Sequence, residues 1–376
     1  SAIETHRISA ETAATSAPIA IAHVSIAVSG GLASALNTIE SITTGFIADS
    51  ASIQASGAVQ VTAEDTATID ADIESIAAAG GLISVAVGKG LTHNTAKNTV
   101  RSSIRNSKVI AEGGDIEVSA DSNPSIETSI EATALSIGLG AGVADVHSIS
   151  EIAVKTESYL DSADLSAVGH EILVTATSIS IADPVTQGNS GGLIAMSLLD
   201  AQAKIAGHTL AYVQGTGTIT ADKLAVRAID TNQAAPVAKI VAVGAIAVKD
   251  ATTDISLTRE TQAQIKAGAN LTLASGNLEV SATSTSTSTG VMKSSGGGAV
   301  DLTFLTVDSS IDSLTQAVIE AGANISVTGG NVDVSAVTLN RANATTNSTS
   351  IGAVTFGTSN PTATITATTQ ARALGN

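Results

Sequence analysis

The residues of this sequence that most resemble a ligand-binding site are three carboxylates at alternate positions. In the segment DADIES (70–75), Asp70, Asp72 and Glu74 would share one face of a β-strand, because strand side chains alternate between two faces. Carboxylates on one face can bind Ca²⁺, but they can equally form a solvated acidic face. The sequence contains neither an EF-hand loop nor the GGxGxD calcium repeat. We therefore predict no dedicated metal site, with these three residues as the candidate calcium ligands.

Other patterns that carry catalysis or cofactor binding are missing from the sequence. The six histidines include no HxH or HExxH pair, the spacings by which one element binds a transition metal. The glycine runs at 80–81, 191–192 and 296–298 lack the Lys-Ser/Thr of a phosphate-binding loop. Enzymes that cleave sugars on β-helices need paired carboxylates in a groove, and the sequence has no non-repeating loop in which Asp, His and Arg cluster. We predict that the protein is not an enzyme and has no cofactor.

The composition points to a thin, acidic, extended structure. Hydrophobic residues make up 43% of the 376-residue chain but aromatic residues only 1%, so its interior must be built from small or branched aliphatic side chains. The net charge of −17 is opposite to that of a nucleic-acid-binding protein, and it favours solubility and self-repulsion. The chain has no cysteine, which fits long extracellular bacterial proteins as well as cytosolic ones. We predict no nucleic-acid partner.

Three apolar stretches, at 18–36, 75–90 and 234–249, have to be weighed as membrane spans. They are short, rich in Ala, Gly and Ser, and interrupted by His or Lys, whereas a spanning helix needs about 20 mostly apolar residues. The first residues, SAIETHRISAE, do not form a signal peptide, so we expect any such segment to lie upstream or to have been removed. We predict no membrane span in this segment.

A repeated element accounts for these stretches better. Its copies are AVQVTA (58–63), DIEVSA (115–120), EILVTA (171–176), KLAVRA (223–228), NLEVSA (277–282) and NVDVSA (331–336). Periods of this length indicate a solenoid or another repeat array. The last valines of the copies, which we call the anchor valines, are Val61, Val118, Val174, Val226, Val280 and Val334, at spacings of 57, 56, 52, 54 and 54 residues.

Within each copy the apolar residues alternate, as Leu278, Val280 and Ala282 do, which predicts a strand with one buried face. Helix is the alternative because alanine is abundant, but SATSTSTSTG (281–290) strongly disfavours helix. We predict an all-β parallel β-solenoid of about seven repeats of about 54 residues, with residues 1–376 in one continuous array. The anchor valines should form one interior column. The spacing leaves open whether each repeat makes one wide coil or two to three narrower ones.

Two further features predict how the chain bends and packs. A turn residue stands four positions before most anchor valines, and we predict corners with a left-handed backbone there. These predicted corners are Gly57, Gly114, Asp222, Gly276 and Gly330. About 16 to 20 residues after each anchor comes a glycine-rich element, for example at 78–87 and 136–146, which we interpret as a strand buried on both faces.

Iterated lines of the form AxIxAGxxIxVxA, almost free of aromatic residues, resemble the repeat regions of giant bacterial surface proteins of the filamentous-haemagglutinin-like adhesin type. The resemblance covers essentially all of residues 1–376. It implies secretion, display on the cell surface and a stalk or filament. The unit of about 54 residues is longer than the coil of the simplest members, so the cross-section can differ. No secretion or receptor-binding motif of the family is present, and no functional residue is carried over.

Together these features predict a structural extracellular repeat protein that forms a stalk, fibre or sheath on a bacterial cell surface. The alternative is an adhesin whose solenoid surface binds host or neighbouring cells; such a surface would concentrate aromatic residues and Arg in one patch. The terminal segment TQARALGN (369–376) is in register with TQAVIEAG (315–322), and neither end has a capping sequence. We therefore expect more chain, or another subunit associating end to end, to cover both ends.

Overall fold

The computed structural model describes residues 1–20, 25–50 and 52–374, except the side chains of residues 274–275. The described residues form strands, bends and turns without any helix, and the 14 strands belong to one sheet in which neighbours pair in parallel. The prediction of an all-β parallel β-solenoid is confirmed. The strands are β1 (Ala2–Ser16), β2 (Ile26–Ala48), β3 (Ile53–Ala55), β4 (Val59–Arg105), β5 (Lys108–Ala111), β6 (Ile116–Asp161), β7 (Asp164–Gly191), β8 (Ile194–Gln214), β9 (Thr218–Ala234), β10 (Val237–Val243), β11 (Ile246–Ile265), β12 (Asn270–Ile319), β13 (Asn324–Val327) and β14 (Val332–Ala373).

The anchor valines form one column through the structure. Each pairs with the next across adjacent strands, in the order Val61, Val118, Val174, Val226, Val280 and Val334. The first five are at most 5% exposed, and Val334 packs partly buried against the same core. Because a residue pairs with its counterpart one repeat later, each repeat makes a single wide coil. We name each coil by its anchor valine.

Each coil is flattened into an outgoing segment, a reversal, a return segment and a short third side. In the Val226 coil the outgoing segment runs along β9 and β10, the return segment is β11, and the start of β12 forms the third side. Inward side chains of the two long segments meet, as the hydroxyls of Ser288 and Ser309 do at 2.6 Å. Most of each coil is therefore two facing layers, which we call the two-layer part.

The thickest core lies where the third side closes each coil, and we call this region the aliphatic end. Its buried cluster combines the anchor valines with Leu165 and Leu271 on third sides and with Leu160 and Ile265 at the ends of return segments. These residues alternate with polar ones along their strands, so every second side chain points inward. Fully burying one such aliphatic side chain contributes about 1.5–3 kcal/mol.

The two-layer part is thinner and more polar inside. Alanine, serine and threonine fill many inward positions, and hydroxyls of adjacent coils contact one another, as in Thr92–Ser148 at 3.0 Å and Ser84–Ser136 at 2.5 Å. Isoleucines such as Ile152 pack between these polar columns in smaller clusters. Small side chains let the two backbones lie close together, which explains why the composition lacks large aromatic residues.

The glycine-rich element is the reversal of each coil, so our interpretation of it as a strand buried on both faces is wrong. Its aliphatic side chains point outward: Leu82 is 47% exposed and Ile137 is 64% exposed. The chain must fold back here to place the return layer against the outgoing one, and the outer side of that fold faces solvent. Glycine lets the two backbone segments of the reversal lie close together, because a Cβ on Gly142 would be only 2.7 Å from the carbonyl oxygen of Ala134.

The predicted corner residues lie at irregular points between the third side and the outgoing segment. Gly57, Gly114 and Gly330 lie in bends, while Asp222 and Gly276 lie at a register shift between β9 and β12. The backbone conformation that we predicted is wrong, since none of the five predicted corners has a left-handed φ: Gly57, Gly114, Asp222, Gly276 and Gly330. Instead, the left-handed residue is Gly329, which precedes Gly330 and has a φ of 79°. Gly169, in the corner before Val174, has a φ of 78°.

Glycine at these corners is explained by stacking between coils rather than by a left-handed backbone. A Cβ on Gly330 would lie 1.8 Å from the carbonyl oxygen of Gly276, and one on Gly276 would overlap the carbonyl oxygen of Asp222 at 0.7 Å. A Cβ on Gly57 would have no atom of the described residues within 4 Å. The requirement for glycine therefore varies from coil to coil.

Candidate functional site

The structure places the three candidate calcium ligands on one outward face of β4, as predicted. Asp70 is half-buried and Asp72 and Glu74 are exposed, with buried Ala71 and Ile73 between them. Alternate residues of a strand lie about 6.6 Å apart, and among the described residues these three do not form a group whose ligand atoms converge. Calcium binding by Asp70, Asp72 and Glu74 stays a prediction.

Asp70 lies between a cation on one neighbouring coil and carboxylates on the coils that follow, since Arg7 Nη2 is 3.9 Å from its Oδ2. It pairs with Glu127, which pairs in turn with Asp183, and the three line a shallow groove. Burial raises the pKa of Asp183, and the charge of Glu127 also raises it, while hydrogen bonds from Ala235 and Gln233 oppose the shift. This stack of carboxylates forms an acidic stripe that runs across the coils.

A larger acidic groove, of about 540 Å³, lies on the outer face of the return segments. Within it, His147 Nε2 lies 2.8 Å from Asp145 Oδ1, and His147 Nδ1 lies 3.8 Å from Asp200 Oδ2. Burial raises the pKa of Asp254. The groove concentrates negative charge and attracts counter-ions. Its acidic lining residues are Asp145, Asp200, Asp250, Asp254 and Asp308.

The two-layer part buries complete ion pairs. The side chains of Arg259 and Asp230 are both 0% exposed, and Arg259 Nε donates a hydrogen bond of 3.1 Å to Asp230 Oδ2. Arg259 Nη1 donates to the carbonyl oxygens of Val154 and Ala206, and its Nη2 donates to Asp230 Oδ1. The hydroxyls of Ser178 and Thr209 accept further bonds from Nη2. The guanidinium is thus fully hydrogen-bonded, and its position links outgoing and return segments of three coils.

A second buried pair joins Lys249 and Asp301 near the reversal. Both side chains are 0% exposed, and Lys249 Nζ lies 3.0 Å from Asp301 Oδ1. The ammonium also donates to the Ser350 hydroxyl at 3.2 Å, and the Thr303 hydroxyl donates to Asp301. In both pairs the chain supplies its own cation to a buried carboxylate.

A third buried carboxylate, Asp65 in β4, is surrounded by neutral donors. It is 0% exposed. Asn98 Nδ2 donates to its Oδ1 at 2.8 Å, and the hydroxyls of Ser41 and Thr43 donate to its Oδ2. None of the ion pairs among the described residues joins Asp65 to Lys or Arg. Asp65 therefore differs from Asp230 and Asp301 in lacking a cationic side chain.

Two further polar side chains reach Asp65 from β1. Glu4 pairs directly with Asp65 in the parallel ladder, and His6 Nε2 lies 3.2 Å from Glu4 Oε2. One ligand atom from each of Glu4, His6 and Asp65 lies within 4.8 Å of the other two. Among the described residues this is the one group of three or more acidic or histidine side chains that converges so closely.

An ion network covers the outer surface of the aliphatic end. Glu157 accepts hydrogen bonds from Arg101 Nε at 2.8 Å and lies 3.0 Å from His208 Nε2. The hydrogen bond with His208, followed by that with Arg101, lowers the pKa of Glu157 to about 2, against the effect of burial. This carboxylate is therefore charged throughout the physiological range.

Two tyrosines stack beside this network. The rings of Tyr159 and Tyr212, on adjacent coils, are 4.8 Å apart and nearly parallel, and Lys266 Nζ lies 3.7 Å from the centre of the Tyr212 ring. Burial raises the pKa of Tyr212 above its usual range. Stacked aromatic rings of this kind add modest stability to the contact between coils.

The reversals of successive coils form an exposed apolar edge. The segments 77–85, 133–141, 188–196 and 240–248 contain no charged residue. Single exposed aliphatic residues need no explanation, but a contiguous row of them indicates an interaction surface. The apolar edge comprises residues that are 47–72% exposed, namely Ile26, Leu82, Ile137, Leu139, Val243 and Ile351.

The sequence analysis did not single out Asp65, Asp230, Arg259 or Lys249, although a signal for them was present. Asp65 stands in phase with Ala63 and Ala67, which point inward, and Asp230 stands in phase with Val226. A charged residue at an inward position of an alternating strand predicts a buried charge that needs a partner. Which partner it meets depends on how the return segment faces the outgoing one, and the spacing does not give that.

Comparison of the chain with family models, curated proteins and solved structures finds no significant match. Among the described residues, none lies in a helix long and apolar enough to cross a membrane. The apolar stretches at 75–90 and 234–249 instead pass through reversals of the solenoid. The stretch at 18–36 includes residues 21–24, which lie outside the described residues.

Proposed function

We propose that the chain is a structural segment of an extracellular stalk, fibre or sheath on a bacterial cell surface. The observation that carries this proposal is the anchor column, in which valines stack in register from Val61 to Val334. A solenoid of this kind gains stability from each contact between neighbouring coils, so it can extend along one axis. A long, uniform rod is suited to a mechanical or spacing role.

The chemistry of the surface supports the same proposal. The net charge of −17 makes neighbouring rods repel one another, except along surfaces that contain no charged residues. Because the chain has no cysteine, its fold does not depend on disulfide bonds or on redox conditions. The resemblance to filamentous-haemagglutinin-like surface proteins supports an extracellular location. We propose end-to-end stacking of coils, from one long chain or from several copies, as the principal association.

Electron microscopy of the purified chain at rising concentration tests this proposal. We expect fibres whose axial repeat is a multiple of about 4.8 Å. Ile365 continues the buried column of Leu257 and Ile311, so Ile365→Lys should prevent end-to-end growth. Ile137→Lys on the apolar edge is the matched control and should leave the fibres intact. A monodisperse monomer at all concentrations would contradict the proposal.

An adhesin is the second candidate, and the apolar edge is the observation that favours it. Such a row of exposed aliphatic residues fits a surface that contacts a host or neighbouring cell. Beads coated with the chain should then adhere to cells, and the double variant Ile137→Ser/Leu139→Ser should reduce adhesion. Adhesion that is absent, or unchanged in this variant, would argue against the adhesin.

A further inference from the structure

We propose that Glu4, His6 and Asp65 bind a divalent transition-metal ion of the Zn²⁺ type between the first two described coils. The site lies inside the two-layer part, on strands β1 and β4, and the hydroxyls of Ser41 and Thr43 on β2 close it from the opposite layer. The inference is independent of the proposed structural role.

The first argument is the arrangement of the two carboxylates. Glu4 and Asp65 are direct ladder partners, and both point inward, as the burial alternation of β1 and β4 indicates. Like charges directly opposite each other on neighbouring strands are destabilising. A buried carboxylate also needs a compensating charge. A cation bound between the two side chains would remove both costs.

The second argument comes from the same place in another coil. The ladder column that contains Asp65 continues through Ser122 and Ser178 to Asp230. The column of Asn98 continues through Val154 and Gly207 to Arg259. Where the return segment offers Arg259, the buried aspartate is neutralised by a guanidinium. In the coil of Asp65 the return segment offers Asn98 instead, and no Lys or Arg of the described residues pairs with Asp65. An external cation can take the equivalent place.

The third argument is an unused ligand atom. Asn98 is 1% exposed, and its side chain points at Asp65 through the 2.8 Å bond from Nδ2. Among the described residues, none donates a hydrogen bond to its Oδ1. A buried amide oxygen without a donor is costly. Rotation of the amide would direct this oxygen to a cation next to Asp65, so Asn98 adds a neutral oxygen ligand to the group.

The donor set selects the class of metal. Imidazole nitrogen together with carboxylate oxygens suits Zn²⁺ and related first-row ions, which bind such atoms at about 2.0–2.2 Å. Ligand atoms already within 4.8 Å of one another need only small side-chain movements to reach that distance from a common centre. Thr43 lies 3.1 Å from Glu4 Oε2 and 3.2 Å from Asp65 Oδ2, so its hydroxyl can orient both carboxylates.

Equilibrium dialysis with elemental analysis tests the site on the 376-residue chain after removal of metals with a chelator. We expect one Zn²⁺ per chain and a rise in melting temperature on adding Zn²⁺. His6→Gln and Glu4→Gln should each weaken Zn²⁺ binding by at least about tenfold, and Asn98→Leu should weaken it by about tenfold. Since Glu4 and His6 are partly exposed, these variants should fold, which the melting curve without metal checks.

His147 provides the matched control. It also lies next to a carboxylate two residues away, Asp145, at 2.8 Å, but the aspartates that it contacts among the described residues are 19% and 30% exposed. His147→Gln should leave Zn²⁺ binding unchanged. The proposal fails if the chain takes up no Zn²⁺, if His147→Gln weakens binding as much as His6→Gln does, or if Ca²⁺ binds at this site in preference to Zn²⁺, since Ca²⁺ does not require the imidazole.

Discussion

The aliphatic end and the two-layer part belong to the same coils, but the coils contact one another through different kinds of residue in the two regions. At the aliphatic end, one column contains valine from Val61 to Val334, so every coil offers its neighbour the same side chain. In the two-layer part, the column of Asp65 changes along its length and includes serine and a second aspartate, Asp230. The anchor position of the aliphatic end therefore holds valine in each of these coils, whereas the buried position of Asp65 in the two-layer part differs between coils.

This difference assigns the stability of the stacked coils and the choice of neighbouring coil to different regions. Equivalent valines would tolerate a shift of one whole coil, because the same contacts would form again. Arg259 tolerates no such shift, since its carboxylate and both carbonyl acceptors are on particular coils. Burying an ion pair contributes little net stability compared with apolar packing, but breaking one is costly. We infer that the aliphatic end holds the coils together and that the buried pairs fix which coils are neighbours.

The largest expected effect comes from breaking the buried pair. Arg259→Leu leaves Asp230 buried without a cation, and we expect a loss of about 3–5 kcal/mol in the free energy of unfolding. The double variant Asp230→Leu/Arg259→Leu should recover much of that loss. Urea denaturation followed by circular dichroism measures both.

The exposed pair of Arg227 with Glu279 is the control for this experiment. Arg227 donates two hydrogen bonds to Glu279, at 2.7 and 2.6 Å, but its side chain is 33% exposed. Arg227→Leu should cost at most about 1 kcal/mol, because solvent screens the pair. Equal losses for Arg259→Leu and Arg227→Leu would show that burial does not separate the two pairs.

The next effect tests the aliphatic end. Val226→Ala removes two buried carbon groups from the anchor column, where Val226 is 0% exposed. We expect a loss of about 2 kcal/mol from reduced burial and the cavity that remains. Val337, which is 55% exposed, is the control, and Val337→Ala should have almost no effect. A small loss at Val226 would mean that the column does not carry the stability of the coil.

A smaller effect is expected where coils stack at the corner. Gly114→Ala places a Cβ 2.5 Å from the backbone nitrogen of Ala58, and we expect a loss of about 1 kcal/mol because the bend can shift only slightly. Gly114→Asn should be no milder, since φ is not positive there. Gly57→Ala is the control and should be neutral, because the added Cβ has no atom within 4 Å. Equal tolerance at both corners, measured by thermal melting, would contradict the stacking argument.

The sequence predicted the features that recur and not those that occur once. The alternation around the anchor valines predicted strands, and their spacing predicted the ladder, including the pairing of Thr315 with Thr369 near the end of the described chain. The reversal was not predicted, because glycine and aliphatic residues also suit a buried strand. The two facing layers were not predicted either, since contacts such as Arg259–Asp230 depend on where the reversal lies.

The smallest expected effect concerns Glu157, the surface counterpart of the buried pairs. Its pKa is about 2 in the folded chain, against 4.5 for an unperturbed glutamate, chiefly because of the hydrogen bond with His208 and then that with Arg101. A carboxyl whose pKa is lowered by folding stabilises the folded state above the unfolded pKa, and this contribution is lost as the pH falls through the folded pKa. The difference in melting temperature between the wild-type chain and Glu157→Gln should therefore be constant above pH 4.5 and shrink between pH 4.5 and about 2. When Glu157→Gln is compared with the unchanged Glu157 in a His208→Ala background, the difference in melting temperature should shrink at a higher pH. The reason is that His208→Ala removes the main cause of the lowered Glu157 pKa. A difference that stays constant down to about pH 2 would mean that this surface network, unlike Arg259–Asp230, has no measurable part in holding the coils together.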